Sequence, residues 1–366
     1  MPESSRLIDL IDDRIGHFLQ TRDSILLSIA PEMGPLAAIS RQFLSGGKRF
    51  RALFCYWGYR AVNDTRDASE PERLDPVIGS AAALELFHAA ALVHDDIIDR
   101  SDTRRGAPSA HRRFESLHRE SGWDGSAADF GDGAAVLLGD LLLGFSDDLL
   151  AEALADDVPA DRAKEVRREF GRMRAEVIAG QYLDILEERS WRTGTDDELL
   201  PRAERVIVYK SAKYSVQAPL VIGGMLAGGT LEQLDALREF GLPLGIAFQL
   251  RDDLLGVFGD AHVTGKPSGD DLREGKRTVL VALTRKALPA SARRVLDELL
   301  GDPDLGDEQI RMLQSTINSS GATAEVERMI LGNVDRARRA LDGAPLADVA
   351  LGQLRDLIES VSDRVA

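Results

Sequence analysis

Apolar side chains recur along this chain at the spacing of one face of an α-helix. Near the N-terminus Leu7 and Ile11 are four residues apart, and Leu234 and Leu237 repeat such intervals far along the chain. Segments in which β-branched residues alternate with polar ones, the pattern of strands, are scarce, and the clearest candidate, 206–208, is too short to support a sheet. The pattern predicts an all-α protein.

Polar segments that contain glycine or proline separate the predicted helices. Four of them are interpreted as loops, at 63–76, 121–133, 190–201 and 259–275. None resembles a long interdomain linker, and no repeat of fixed period is visible. We therefore expect one domain over residues 1–366, with a motif-bearing core at about residues 40–285.

Composition and charge narrow the class of protein. The 366 residues are 44% hydrophobic and 29% charged, which is ordinary for a globular protein. A formal net charge of −16 at pH 7 argues against a nucleic-acid partner. No apolar run reaches the roughly 20 residues of a membrane span, and the acidic first residues lack the layout of a signal peptide. The single cysteine, Cys55, leaves no intrachain disulfide, so we expect a cytoplasmic protein.

Two clusters of aspartates suggest a metal site. On a helix Asp95 and Asp99 would lie one turn apart on the same face, with Asp96 beside them. One cluster alone could be a solvated acidic helix end. A second pair, Asp252 and Asp253, again follows an apolar helical run, and two such sites can face each other across a helical bundle. Carboxylate oxygens suit Mg²⁺, which commonly binds one or two carboxylates together with substrate phosphates.

Basic residues are concentrated locally, as binding of an anion by an acidic chain requires. Each group alone is more often a solvated surface, but together they suit a diphosphate, and the glycine pair 46–47 permits close backbone approach. The groups are Lys48, Arg49 and Arg51; Arg104 and Arg105; Lys210 and Lys213; and Lys266 and Lys276.

In this order, the motifs resemble those of trans-isoprenyl diphosphate synthases, the family that includes farnesyl and geranylgeranyl diphosphate synthases. The resemblance rests on GGKRFR, FHAAALVHDDIID followed by RRG, GDLLL, GQYLD, FQLRDD and GDDLREGK. It implies a helical bundle of the isoprenoid-synthase type around a deep central cavity, and a homodimer. It also implies a prenyltransferase that condenses isopentenyl diphosphate with an allylic diphosphate after Mg²⁺-assisted ionisation to a carbocation.

The resemblance further implies roles for individual residues. Isopentenyl diphosphate would be bound by Lys48, Arg51, His88 and Arg105. Three Mg²⁺ ions would be held with substrate, through the ligands Asp95, Asp99 and Asp252. The allylic substrate would be contacted by Arg104, Lys210, Ser211, Gln249, Lys266 and Lys276. The catalytic set would be Asp95, Asp96, Asp99, Arg104, Lys210 and Asp252.

Two positions depart from the family's pattern. Gly256 stands where the second aspartate cluster usually has a third aspartate, and Ser211 stands where threonine is usual. We expect metal binding to be weakened or unchanged rather than lost, since Asp252 would do most of the ligation. Ser211 keeps the hydroxyl.

The helix before Asp95 is expected to set the product length. A helical turn rises about 5.4 Å, so Ala91 and Phe87 mark successive depths below Asp95, with Ala90 beside Ala91. In the family, bulky aromatics at the two alanine positions stop growth at farnesyl diphosphate. Their absence predicts geranylgeranyl diphosphate, with Phe87 as the deeper floor. A longer product or farnesyl diphosphate is the alternative.

Two other function classes share part of this pattern. A class I terpene cyclase has the same fold and a first aspartate motif, but it needs one diphosphate site and a second motif with Asn, Ser and Glu. A non-catalytic subunit of a heteromeric synthase would be expected to lose the first aspartate cluster, which is intact here.

Overall fold

The computed structural model describes residues 2–63, 74–155, 157–259 and 268–362, and helices dominate this part of the chain. The predicted all-α class is confirmed. The helices are α1 Pro2–Ile29, α2 Gly34–Leu44, α3 Phe50–Val62, α4 Asp75–Ile98, α5 Ala110–Ser121, α6 Ala127–Ala153, α7 Ala160–Ser190, α8 Asp196–Val206, a π-helix at Ile207–Gln217, α9 Ala218–Leu226, α10 Leu231–Phe258, α11 Asp270–Glu274, α12 Val279–Ala287, α13 Ala290–Leu299, α14 Asp307–Ser319, α15 Ala322–Ala340 and α16 Asp348–Ser362, with 3₁₀ turns at Pro31–Met33 and Trp191–Thr193.

One small hairpin interrupts the helices. Strands β1 (Thr103–Arg104) and β2 (Ala107–Pro108) pair antiparallel, with Thr103 opposite Pro108. The turn places Arg105 at φ 53° and Gly106 at φ 73°, a left-handed pair typical of a two-residue hairpin turn. The hairpin follows α4 directly, so it holds Arg104 close to the aspartates at the end of that helix.

The predicted loop 259–275 contains the short helix α11, and the predicted loops 121–133 and 190–201 are shorter than expected because capping residues start the helices early. The Ser126 side chain accepts a hydrogen bond from the Asp129 amide at 3.2 Å, so α6 begins at Ala127. Thr195 and Glu198 form a capping box that starts α8 at Asp196, and Pro201 lies inside that helix. Gly131, Gly133 and Pro201 are therefore accommodated in helices, whereas Gly122, Gly125 and Gly194 lie outside them.

Helix α4 is the most deeply buried long element. It packs against α1, α3 and α6, and from Val77 to Phe87 every residue is buried. Among the described residues it is the one helix long and apolar enough to cross a membrane, which the sequence analysis did not expect. Its most apolar window is 78% buried inside the fold, so core packing accounts for its composition.

The π-helix lies between α7 and α10. It packs against both helices. A Cβ added at Gly180 of α7 would lie 2.4 Å from the Lys210 backbone nitrogen, so only glycine permits this approach. π-Helices are rare and are frequently found at functional sites; this one carries Lys210, Ser211 and Tyr214.

Candidate active site

A cavity of about 620 Å³ lies between α3, α4, α7, the π-helix, α10 and the segment around α11. Most of the site residues predicted from the sequence line it: Lys48, Arg51, His88, Ala91, Asp95, Arg104, Lys210, Ser211, Gln249, Asp252 and Lys276. Asp96, Asp99, Arg105, Phe87 and Ala90 lie outside the lining. Lys266 falls outside the described residues. The fold thus brings together side chains that are far apart in the sequence.

Asp95 faces the cavity at the end of α4 and is surrounded by donors. Its Oδ1 accepts a hydrogen bond from Gln181 at 2.9 Å and lies 3.4 Å from Lys210 Nζ, and its Oδ2 lies 3.8 Å from Arg104. Burial alone would raise the pKa of this carboxyl, but Lys210, Lys276 and Arg104 outweigh it and hold the pKa below its usual range. Asp95 is therefore ionised.

Asp96 points away from the cavity. Its side chain is fully buried, and its Oδ1 accepts a hydrogen bond from Arg104 Nε at 2.9 Å. Arg104 itself lines the cavity, so Asp96 fixes the guanidinium rather than facing a substrate. The structure separates the two adjacent aspartates into a cavity-facing one and a buried anchor.

Asp99 caps the C-terminal end of α4 and is buried. Its side chain is 5% exposed, and Oδ2 lies 3.9 Å from Lys276 Nζ. Burial and the neighbouring Asp95 carboxylate raise the pKa of Asp99 to about 7. A nearby cation would favour the ionised form of a carboxyl in this position.

The second carboxylate set lies on α10, at the side of the cavity formed by α10 and α11. Asp252 and Asp253 both line the cavity. Asp253 Oδ1 accepts a hydrogen bond from Gln249 Nε2 at 2.7 Å, and Ser211 donates to the Gln249 carbonyl oxygen. Burial, together with Asp271 and Asp252, raises the pKa of Asp253 to about 8. The hydroxyl of Ser211 thus orients the amide beside the carboxylates.

Lys276 lies among carboxylates from the end of α4 and from the α11 segment. Its Nζ lies 2.5 Å from Glu274, 3.2 Å from Asp271 and 3.9 Å from Asp99. Burial would lower the pKa of this amine, but the surrounding carboxylates raise it well above its ordinary value. Lys276 is therefore a permanent cation between the end of α4 and the α11 segment.

Lys48, Arg51 and His88 line the same cavity and form its basic pocket. Arg51 donates to Ser215 at 2.8 Å and its guanidinium sits 4.3 Å from the centre of the Tyr214 ring. His88 Nδ1 and the Tyr214 hydroxyl are hydrogen-bonded at 2.6 Å. Burial and the neighbouring arginines hold the pKa of His88 well below its ordinary value, so the imidazole is neutral.

The remaining cations of the GGKRFR and RRG motifs differ in their surroundings. Arg49 is buried and forms ion pairs with Asp12 at 2.8 Å and Glu85 at 3.4 Å, so it serves the fold. Arg105 donates to the Gly46 carbonyl oxygen at 3.4 Å. The RRG hairpin is thereby tied to the loop that carries Lys48.

The carboxylates fit Mg²⁺ bound together with a diphosphate better than a preformed metal cage. Within the described ranges, no group of three or more His, Cys, Asp or Glu side chains is arranged to hold an ion. Asp95 and Asp252 instead line one cavity, and Asp99 lies one turn beyond Asp95 at the end of α4. Mg²⁺ takes its remaining ligands from water and substrate phosphates.

Sequence reasoning placed Asp253 in the second aspartate cluster but assigned no role to four other residues that line the cavity: Gln181, Asp184, Tyr214 and Asp271. Asp184 accepts from Lys210 at 2.5 Å, and Gln181 reaches Asp95. The three-residue spacing of Gln181 and Asp184 within GQYLD places both on one helix face, a signal that could have identified them. Nothing in the sequence indicated the pairing of Tyr214 with His88.

Comparison with known proteins gives a consistent result. A family model described as polyprenyl synthetase matches residues 35–317. The chain is 31% identical over 345 residues to the geranylfarnesyl diphosphate synthase of Aeropyrum pernix, covering 94% of this chain and 96% of that protein. It is 29% identical over 337 residues to the geranylgeranyl diphosphate synthase of Methanosarcina mazei, covering 92% and 91%.

Solved structures resemble the whole chain. The crystal structure of geranylgeranyl pyrophosphate synthase from Corynebacterium glutamicum, complexed with isoprenyl diphosphate and magnesium, superposes with a TM-score of 0.91 at 37% identity, covering 98% of this chain and 99% of that one. The geranylgeranyl pyrophosphate synthetase of Pyrococcus horikoshii superposes with a TM-score of 0.77 at 25% identity, covering 99% and 98%.

Proposed function

This chain belongs to the polyprenyl synthetase family, and from that premise we propose how its own residues divide the work and which product it makes. It is a prenyltransferase of the trans-isoprenyl diphosphate synthase type, which condenses isopentenyl diphosphate with an allylic diphosphate. The roles of single residues, the metal count, the product and the oligomeric state are our proposals.

The observation that carries the assignment of roles is the division of one cavity into two anion sites. On the side of the neutral His88, Lys48 and Arg51 line the cavity and supply cations, which suits a diphosphate bound directly. The other side presents Asp95 and Asp252, which suits a diphosphate bound through metal ions. A cyclase needs only the second kind of site.

We assign the metal-bearing side to the allylic diphosphate. Three Mg²⁺ ions held by Asp95, Asp99 and Asp252 would neutralise the departing diphosphate and so promote ionisation of the allylic carbon–oxygen bond. Arg104, Lys210 and Lys276 line the same space and bind the remaining charge of the leaving group. Asp96 keeps Arg104 in place.

The basic pocket positions isopentenyl diphosphate so that its double bond attacks the allylic cation. Lys48, Arg51 and His88 hold its diphosphate, with Arg105 supporting the Lys48 loop. The same cavity is also lined by the apolar side chains Ala91, Leu92, Val177, Ile207 and Phe248. These walls exclude water, which would quench the cation. The proton lost after attack goes to the departing diphosphate, as in the family.

We propose geranylgeranyl diphosphate as the product. Ala91 lines the cavity and leaves room for a chain that passes Asp95 along α4. Phe87 lies one turn deeper, buried behind Tyr214 with the two ring centres 5.7 Å apart. The cavity wall therefore leaves space at Ala91, and the rings of Phe87 and Tyr214 close it one turn deeper.

We further propose one domain, a homodimer and a cytoplasmic location. Ile178, Tyr182 and Leu186 form a stripe on successive turns of α7 and are 61%, 64% and 39% exposed, and Leu137 on α6 is 65% exposed. Exposed apolar residues in such a stripe are typical of a protein interface. A second copy of this chain is the partner that the stripe would contact.

The proposed reaction is tested by supplying the substrates separately and together. The purified protein is incubated with Mg²⁺ and an allylic diphosphate, with and without isopentenyl diphosphate. We expect linear prenyl diphosphates only when both are present. A cyclic hydrocarbon from the allylic substrate alone would support the cyclase alternative, and turnover only after addition of a second protein would support the non-catalytic subunit.

A further inference from the structure

Gly256 and Asp271 occupy one position in the cavity wall. Gly256 lies on α10 four residues after Asp252, hence one turn further along the same face. A Cβ added at Gly256 would lie 1.9 Å from Asp271 Oδ2 and 2.4 Å from Asp271 Cγ. The Asp271 carboxyl therefore fills the space into which any side chain at position 256 would project.

The α11 segment fixes Asp271 in this position. Leu272 is 1% exposed and anchors the segment in the core. The Asp271 carbonyl accepts hydrogen bonds from the amides of Gly275 and Lys276, both at 3.1 Å. Asp271 also lines the cavity together with Asp252 and Gly256. The backbone of Asp271 is thus fixed by hydrogen bonds within the α11 segment.

We propose that Asp271 supplies the third carboxylate of the second aspartate set, reaching from α11 into the space left by Gly256, and helps to hold the metal ion bound by Asp252. Side chains four apart on a helix have Cβ atoms about 5–6 Å apart, so a carboxyl at the Gly256 Cβ position is one turn from Asp252. The inference rests on the proposed function, because that function places a metal ion at Asp252.

The principal alternative is that Asp271 serves only to hold Lys276, whose Nζ lies 3.2 Å away. Lys276 also contacts Glu274 at 2.5 Å, so Asp271 is not its sole carboxylate partner. The two roles differ in what happens when Lys276 is removed. If Asp271 binds the metal, changing it should weaken metal binding even when Lys276 is absent. If Asp271 only positions Lys276, changing it should have no effect in that background.

The test measures binding of Mn²⁺, as a paramagnetic substitute for Mg²⁺, in the presence of inorganic diphosphate and without turnover. We expect Asp271→Asn to raise the Kd of Mn²⁺ about tenfold, the range found when supporting residues of metal sites are removed. Asp304→Asn, a carboxylate change at an exposed position, is the matched control and should leave the Kd unchanged. Asp271→Asn must also weaken binding in a Lys276→Met background.

The decisive variant exchanges the two positions. Asp271→Gly combined with Gly256→Asp should restore the Kd to within about threefold of the wild type, by the same reasoning, whereas Asp271→Gly alone should not. A wild-type Kd in Asp271→Asn, or no further effect of that change in Lys276→Met, would overturn the inference. If the exchanged protein does not fold, Asp271→Asn in the two backgrounds decides. Absence of Mn²⁺ binding by the wild type would instead overturn the proposed function as well.

Discussion

At the scale of single residues, adjacent aspartates have different surroundings and therefore different expected roles. Asp95 faces the cavity and contacts Gln181 and Lys210, whereas Asp96 is buried against Arg104. The DDxxD spacing predicted that the first cluster forms a site, and the burial of its flanking residues follows from the apolar sequence around it. The orientation of the two aspartates depends on the hairpin that places Arg104 beside Asp96. The strands of this hairpin are two residues long, which is too short to give a periodic pattern in the sequence.

This difference predicts distinct kinetic effects for two isosteric changes. Asp95→Asn should raise the Mg²⁺ concentration needed for half-maximal activity by at least about tenfold, since it removes a ligand oxygen. Asp96→Asn should leave that concentration unchanged and raise the KM of the allylic diphosphate, because Arg104 loses its anchor. Titrating Mg²⁺ and allylic substrate in both variants checks this. Equal Mg²⁺ dependence in the two would refute the distinction.

His88 predicts a pH effect on stability. Its pKa in the folded protein is well below the ordinary value because of burial and nearby arginines, so below a pH of about 6.5 the unfolded state binds the additional proton. Stability should therefore fall as the pH drops through that range, and less so in His88→Gln. Urea unfolding of both proteins at acidic and neutral pH measures the difference. An equal loss in both proteins would show that His88 is not responsible.

At the scale of elements, α4 combines metal binding with the wall of the product cavity. Ala91→Phe should shorten the product by filling the wall, and Phe87→Ala should lengthen it by opening the layer behind Tyr214. Each product is identified by chain-length analysis. Loss of the buried Phe87 ring should also cost about 3–5 kcal/mol of stability.

A control separates product length from general destabilisation. Phe18 is another buried ring, 1% exposed, which packs against Phe145 with ring centres 5.8 Å apart and does not line the cavity. Phe18→Ala should destabilise the protein comparably but leave the product unchanged. An unchanged product in both Ala91→Phe and Phe87→Ala would exclude α4 as the determinant.

Helical periodicity predicted the elements well but not their ends. Glycines and Pro201 suggested loops, but the caps at Ser126 and Thr195 start helices inside them. Hydrogen bonds between a cap and the amides of the first turn stabilise a helix more than one poor helix-forming residue destabilises it. The π-helix was not predictable, since its register is set by packing against Gly180 of α7. Residues that join the site through this packing, such as Tyr214, were missed for the same reason.

At the scale of the whole molecule, the α7 stripe predicts the oligomeric state. Tyr182→Lys should shift a dimer to monomers, because a charge in an apolar interface carries a desolvation cost. Leu231→Lys is the matched control, since Leu231 is 78% exposed and lies outside the stripe. Light scattering after gel filtration measures both. A Tyr182→Lys protein with the mass of the wild type would contradict this interface.

The central claim is that one cavity joins an allylic diphosphate, held through the carboxylates, to isopentenyl diphosphate, held by the basic pocket. Its most direct test is mass spectrometry of the product formed from dimethylallyl diphosphate and ¹³C-labelled isopentenyl diphosphate with Mg²⁺. We predict linear geranylgeranyl diphosphate that carries three labelled isoprene units. An unlabelled product, or a cyclic hydrocarbon, would contradict the account.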